Sequence, residues 1–136
     1  MNLNLKGKNA LVGGSSKGIG KAIAVELALL GANVTLVSRS ARIMSAIVHE
    51  LDHSQRQRHD FMVIDFNNLD DLRRKVKHLL SVKTIHILVN NTGGPPAGAI
   101  LEAEEEAFLQ AFNNHMLAKN LAVIAVKLSI LKYFLS

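Results

Sequence analysis

The chain has 136 residues, 49% hydrophobic and 20% charged, with a formal net charge of +5 and no cysteine. That length supports one domain with its own core, and the composition is that of a globular protein. Missing cysteine excludes a disulfide framework and thiol chemistry, and suits a reducing compartment; a cytoplasmic protein is the expectation.

The opening MNLNLKGK lacks the apolar stretch of a signal peptide. No apolar run reaches the ~18 residues of a membrane span; Leu121 to Leu135 comes nearest and is broken by Lys127 and Lys132. Lys and Arg are spread along the chain, and the densest group, Arg73-Arg74-Lys75-Val76-Lys77, suits the solvent face of a helix. With one Tyr and no Trp there is little to stack on bases. Neither a membrane nor a nucleic acid is an expected partner.

In chain order, Asn9 to Gly13 is an apolar run that reads as a strand. Ile19 to Leu30 has helical apolar spacing and stops at Gly31. Asn33 to Ser38, NVTLVS, is rich in β-branched residues and reads as a second strand. Ala41 to Leu51 reads as a helix, Phe61 to Ile64 as a third strand ending at Asp65, and Leu69 to Leu80 as a third helix. Ile85 to Val89 is a fourth strand, followed by the loop chemistry of Asn90-Asn91-Thr92-Gly93-Gly94-Pro95-Pro96. A last helix begins near Glu102, its acidic run suiting the positive end of the helix dipole. Strand and helix alternating at this spacing predict an α/β fold with a doubly wound parallel sheet of Rossmann type. The strands are expected to be buried on both faces. One domain spans residues 1–136.

Between the first strand and first helix stand Gly14, Gly18 and Gly20 in the stretch GGSSKGIGK. A strand turning directly into a helix presents free N–H groups and a positive dipole end, and glycines let an anion approach the backbone closely. A Walker A loop needs G-x-x-x-x-G-K-[ST]; here Ser15 and Ala22 stand where its first Gly and its hydroxyl would be. The G-x-G-x-x-G spacing is not met either, since the pattern is G-x-x-x-G-x-G.

That pattern after a first strand resembles the short-chain dehydrogenase/reductase family. The fourth strand ends in Asn90-Asn91-Thr92-Gly93, similar to the family's N-N-A-G with Thr for Ala. The resemblance runs from about Leu5 to about Val126, nearest the N-terminal half of a 3-oxoacyl-carrier-protein reductase. It implies a nicotinamide-cofactor site on Gly14, Ser15, Ser16, Lys17, Gly18, Ile19 and Gly20, with Asp65 and Phe66 near the adenine and Asn91 and Gly93 at the fourth strand. The family's Thr before the first glycine is replaced by Gly13, which is expected to loosen the turn.

An NAD site ends its second strand with an acid for the ribose 2′-OH, and an NADP site with a base. Here Ser38-Arg39-Ser40 holds no acid, and Lys17 adds a second positive charge. Arg39 suits a forked contact with a 2′-phosphate, so NADP(H) is expected over NAD(H).

The resemblance implies hydride transfer between NADPH and a carbonyl/alcohol substrate or acyl thioester, using a Ser and a Tyr-x-x-x-Lys pair. The sole Tyr, Tyr133, is followed by Phe134, Leu135 and Ser136, so that pair is not present. An Asn in the helix after the fourth strand often supports a proton relay in the family; Asn114 and His115 are both candidates, and the choice stays open. The expectation is a fold truncated after about four strands. Its uncovered fourth strand and last helix should promote self-association, so a homo-oligomer is expected.

Residues 49–53 also satisfy H-E-x-x-H, the zinc-peptidase pattern. Set on one helix, His49 and His53 would share a face, with Glu50 as base. The short helix and the missing third ligand argue against it, and no metal is expected. His59, His78 and His86 show no ligand spacing. Three readings remain: the cofactor half of an NADP-dependent oxidoreductase, a nucleotide-binding module without turnover, and a basic nucleic-acid-binding domain.

Overall fold

The computed structural model describes residues 3–92, 104–117, 119–120, 123 and 127. The elements run β1 (Asn9–Gly13), α1 (Gly18–Leu29), β2 (Asn33–Ser38), α2 (Ala41–Glu50), β3 (Asp60–Val63), α3 (Leu69–Val82), β4 (Ile87–Val89) and α4 (Glu105–Phe112). A π-helical turn over Asn113–Leu117 continues α4. The expected Gly93 loop and the start near Glu102 lie outside the described residues. Glu105 and Glu106 do occupy the first turn of α4.

The four strands form one parallel sheet in the order β3-β2-β1-β4. From β1 the chain winds outward through β2 to β3, then returns to add β4 on β1's other side. The crevice between β1 and β4 is therefore the point where the winding reverses, where doubly wound sheets bind ligands. It sits directly beside the glycine turn.

Side-chain alternation divides the core. Val12, Val34 and Leu36 face α1 and α2, packing with Ala24, Ala28, Met44 and Ile47. Leu11 and Val37 face α3, packing with Ile64, Leu72, Val76 and Leu79. Helix α1 buries only Gly20, Ala24 and Ala28. These recur every fourth residue on one side, so the helix axis approaches the sheet closely. In α3, Leu72, Val76 and Leu79 are buried, while Arg73 and Arg74 lie outside, paired with Asp70 and Asp71. The basic group is a solvent face, as its sequence predicts.

One expectation fails at β3. It is not covered on both faces, since Phe61 is 38% and Val63 36% exposed. It forms an edge of the sheet. Lys75 Nζ donates to the Val63 carbonyl and Lys83 pairs with Asp60, placing charge at both ends of that edge.

Candidate nucleotide-binding site

The turn from β1 into α1 is built around Asn91. Its Nδ2 donates to the carbonyls of Gly13 and Gly14, each at 3.3 Å. Gly14 has φ +57°, and a Cβ there would lie 2.7 Å from Asn91 Nδ2. A Cβ on Gly20 would lie 2.3 Å from the Gly14 carbonyl oxygen. These two glycines are needed for packing: one seats Asn91, the other lets the first turn of α1 rest on the strand end. Gly18 differs. Its φ is also +57°, but a Cβ would meet nothing within 4 Å. Backbone conformation alone calls for glycine there, and the space beside it is open.

Gly13 overturns an expectation. A Cβ at this position would lie 2.5 Å from the Asn91 carbonyl oxygen. The missing side chain leaves no gap to loosen the turn, because the backbone after β4 occupies its place.

The amino end of α1 is prepared for an anion. Lys17 is its N-cap, extended at φ −163°, with no side-chain cap and no acid in the first turn. By contrast Ser40 caps α2 by accepting from the Ile43 N–H, and Asn68 caps α3 by accepting from the Asp71 N–H. First-turn N–H groups of α1 are thus left for a ligand. Ser16 is half-buried and Lys17 exposed, and Ile19 stands 73% exposed.

Ser15 does not join this surface. It is fully buried, its Oγ accepts from the Val37 N–H at 2.9 Å, and its Oγ and backbone N–H both lie 3.3 Å from the Val37 carbonyl. Ser15 carries the bonding between β1 and β2 two residues beyond Gly13, and its hydroxyl and amide are both engaged by Val37. At the end of β2, Ser38 Oγ accepts from the Ser40 N–H at 3.2 Å. Each of these two hydroxyls accepts from the backbone and keeps its own proton to donate. Arg39 between them is exposed.

Asp65 is exposed and forms a tight turn, accepting from the Asn67 N–H at 3.0 Å and from Asn67 Nδ2 at 3.1 Å. Phe66 packs on the α3-side core. Beneath the strand ends, Gly13, Val37, Phe66, Asn91 and Thr92 help line an apolar cavity of about 30 Å³. That is about one water in liquid, far too little for a nucleotide. Gly93 lies outside the described residues.

Thr92 holds a link that sequence reasoning missed. Its Oγ1 lies 3.0 Å from His115 Nδ1 in the π-helical turn. The signal was the departure from N-N-A-G, where Ala has no hydroxyl to offer. Asn114 shares that turn, and its side chain lies outside the described residues.

The H-E-x-x-H geometry does not form. Helix α2 ends at Glu50, and Leu51 turns extended at φ −64°, ψ 154°. His53 therefore leaves the helix face of His49, contrary to the one-face placement its spacing suggests. Its Nε2 lies 3.2 Å from the Val48 carbonyl and its Nδ1 3.4 Å from that of Gln57. Glu50 pairs with Lys21 at 3.0 Å. Among the described residues no three His, Asp or Glu side chains group to hold a metal, and no helix is long and apolar enough to cross a membrane.

Comparison with known proteins agrees with this architecture. The family model for short chain dehydrogenases matches residues 8–132. Hydroxysteroid dehydrogenase-like protein 1 of Gallus gallus is 40% identical over 87 residues, covering 64% of this chain and 26% of that protein. The very-long-chain 3-oxoacyl-CoA reductase of Emericella nidulans is 37% identical over 90 residues, covering 65% and 26%. The crystal structure of L-sorbose reductase from Gluconobacter frateurii, complexed with NADPH and L-sorbose, superimposes with a TM-score of 0.86 at 28% identity, covering 95% of this chain and 49% of that one. The chain thus spans about a quarter of the length of these curated relatives. The family-model match begins one residue before β1 and takes in all four strands of the sheet: the chain belongs to the short-chain dehydrogenase/reductase family.

Proposed function

We propose that this chain is the cofactor-binding part of an NADP(H)-dependent oxidoreductase acting on a carbonyl/alcohol substrate of the 3-oxoacyl class. One observation carries the reading. The uncapped, acid-free amino end of α1 lies over a glycine turn held open at Gly18, and exposed Arg39 directly follows the neighbouring strand β2.

The residues fit the cofactor's chemistry. A pyrophosphate takes the N–H groups of Ser16 to Gly20, with Lys17 adding charge. A 2′-phosphate takes Arg39 as a fork and the hydroxyl protons of Ser38 and Ser40. Asp65 and Phe66 border the adenine, Asn91 holds the turn, and Gly93 completes the set of cofactor-binding residues. The bound cofactor supplies a hydride equivalent; the chain's part is to bind and orient. NADPH in the L-sorbose reductase complex and the 3-oxoacyl-CoA reductase name support the cofactor and substrate class.

His115, tied to Thr92, and Asn114 are the candidates in this chain for moving a proton near the reacting carbon. Within residues 1–136 no Tyr is followed four positions on by a Lys. A nucleotide-binding module without turnover is the second reading. The exposed Phe108, Leu109, Phe112 and Met116 on α4 and its π-helical turn support a homo-oligomer.

Calorimetric titration with NADPH and NADH tests the reading. Tighter binding of NADPH is expected; equal affinities would remove the role given to Arg39. A 340 nm assay with short 3-oxoacyl thioesters separates the two readings. The 136-residue chain is expected to bind without measurable turnover, since loss of a general acid costs about 10² to 10⁴ in rate.

A further inference from the structure

The amino-terminal edge of the sheet, opposite the glycine turn, is sewn by side chains. Asn9 and Asn33 face each other in the β1–β2 register. Asn33 Nδ2 donates to Asn9 Oδ1 at 2.9 Å, and Asn9 Nδ2 donates to the Thr84 carbonyl at 2.8 Å. The Arg58 N–H donates to Asn33 Oδ1 at 2.8 Å. Two imidazoles complete the row. His86 Nδ1 accepts from the Asn9 N–H at 3.0 Å, and His59 Nδ1 accepts from the Val34 N–H at 3.1 Å. His59 Nε2 lies 2.8 Å from the Asp52 carbonyl, which places the proton of the neutral ring on Nε2.

A ring nitrogen that accepts a hydrogen bond carries no proton, and a protonated imidazole has no acceptor. Protonating the His59 ring would set its Nδ1–H against the Val34 N–H and leave that amide, near the start of β2, without its partner.

We infer that this edge carries an acid-responsive latch: His59 holds the opening of β2 when neutral and releases it when protonated.

The surroundings of His59 act in the same sense. Burial, the largest influence, holds its pKa below the usual histidine value, and the charge of His53 adds to this. The Asp52 carbonyl, then the Asp52 and Asp60 carboxylates, oppose it. The His53 ring lies 4.8 Å away, centroid to centroid. The Asp52 carboxylate is engaged by Ser54 and Gln57, Asp60 is paired with Lys83, and Arg58 adjoins in sequence. With the folded value depressed, the stabilisation is complete above the unfolded value of about 6.5 and is lost as pH falls from there through the folded value.

The test is amide hydrogen exchange by NMR at about pH 7.5 and about pH 5.5, corrected for intrinsic rates and referred to the Leu36 amide in mid-strand. The Val34 amide is expected to lose protection relative to Leu36 by up to about tenfold per pH unit. In the His59→Asn variant, Oδ1 accepts in place of Nδ1 and does not titrate, so the loss should vanish. Constant protection in the parent chain, or the same loss in the variant, would overturn the inference. Should the variant not fold, the ¹⁵N shift of His59 Nδ1 in the parent decides. An unprotonated Nδ1 at neutral pH upholds the inference, and a protonated one overturns it.

Discussion

Asn91, at the end of β4, clamps Gly14, at the end of β1: its Nδ2 donates at 3.3 Å to the Gly14 carbonyl and at the same distance to that of Gly13. Asn91→Ala leaves two partly buried acceptors without that donor. The expected cost is about 1–3 kcal/mol in urea unfolding, with roughly a tenfold loss in NADPH affinity. Full affinity in a destabilised variant would mean that the clamp does not shape the site.

The two helix-start glycines should respond differently. Gly20→Ala drives a Cβ to 2.3 Å from a backbone oxygen, where relief requires the helix to move. A cost of about 3 kcal/mol or more is expected. Gly18→Ala meets open space and bears only the strain of its positive φ, about 1–2 kcal/mol. Thermal unfolding of both variants checks the order, and equal losses would refute it.

Gly13→Thr would restore the family's usual residue and yet is expected to destabilise. The new Cβ meets the Asn91 carbonyl oxygen at 2.5 Å, an overpacking cost of about 1–3 kcal/mol. A gain in stability would show that the segment after β4 yields easily.

Arg39→Asp should reverse the cofactor preference. A carboxylate repels a 2′-phosphate and accepts from a ribose 2′-OH. NADPH affinity should fall by about tenfold or more while NADH affinity holds or rises. The parent's preference for NADPH should also weaken with added salt, because Arg39 is exposed and its charge is screened. Unchanged selectivity in Arg39→Asp would place the 2′-phosphate elsewhere.

Replacing Phe108 and Phe112 with Glu tests the apolar face of α4. Both are 52% exposed, so little folding energy is at stake. Light scattering should show a larger oligomer in the parent chain and a smaller species in the variant. A monomeric parent would remove the proposed self-association.

What the sequence determined by itself is what neighbouring residues decide among themselves. Asn9–Gly13 and Asn33–Ser38 read as strands and are strands with those bounds. The apolar spacing of α3 predicted its buried row, and the glycine spacing marked the turn, because periodicity and backbone freedom act over a few residues. Tertiary structure decided the rest. Asn91 lies 77 residues from Gly14, and only the placement of β4 beside β1 brings them together. That placement turned Gly13 from a supposed weakness into the seat of a backbone carbonyl. Ser15 looked like a phosphate ligand until the β1–β2 register set Val37 against its hydroxyl. His53 kept the spacing of a helical metal ligand, but helix α2 stops before it, and a neighbouring loop takes its ring. Burial on β3 was misjudged for the same reason: an apolar run does not say whether its strand will lie inside a sheet or at its edge. Except for His53, whose carbonyl partners stand four and five residues away, each of these outcomes depends on which distant groups the sheet order brings within reach, and a short-range pattern carries no record of that order.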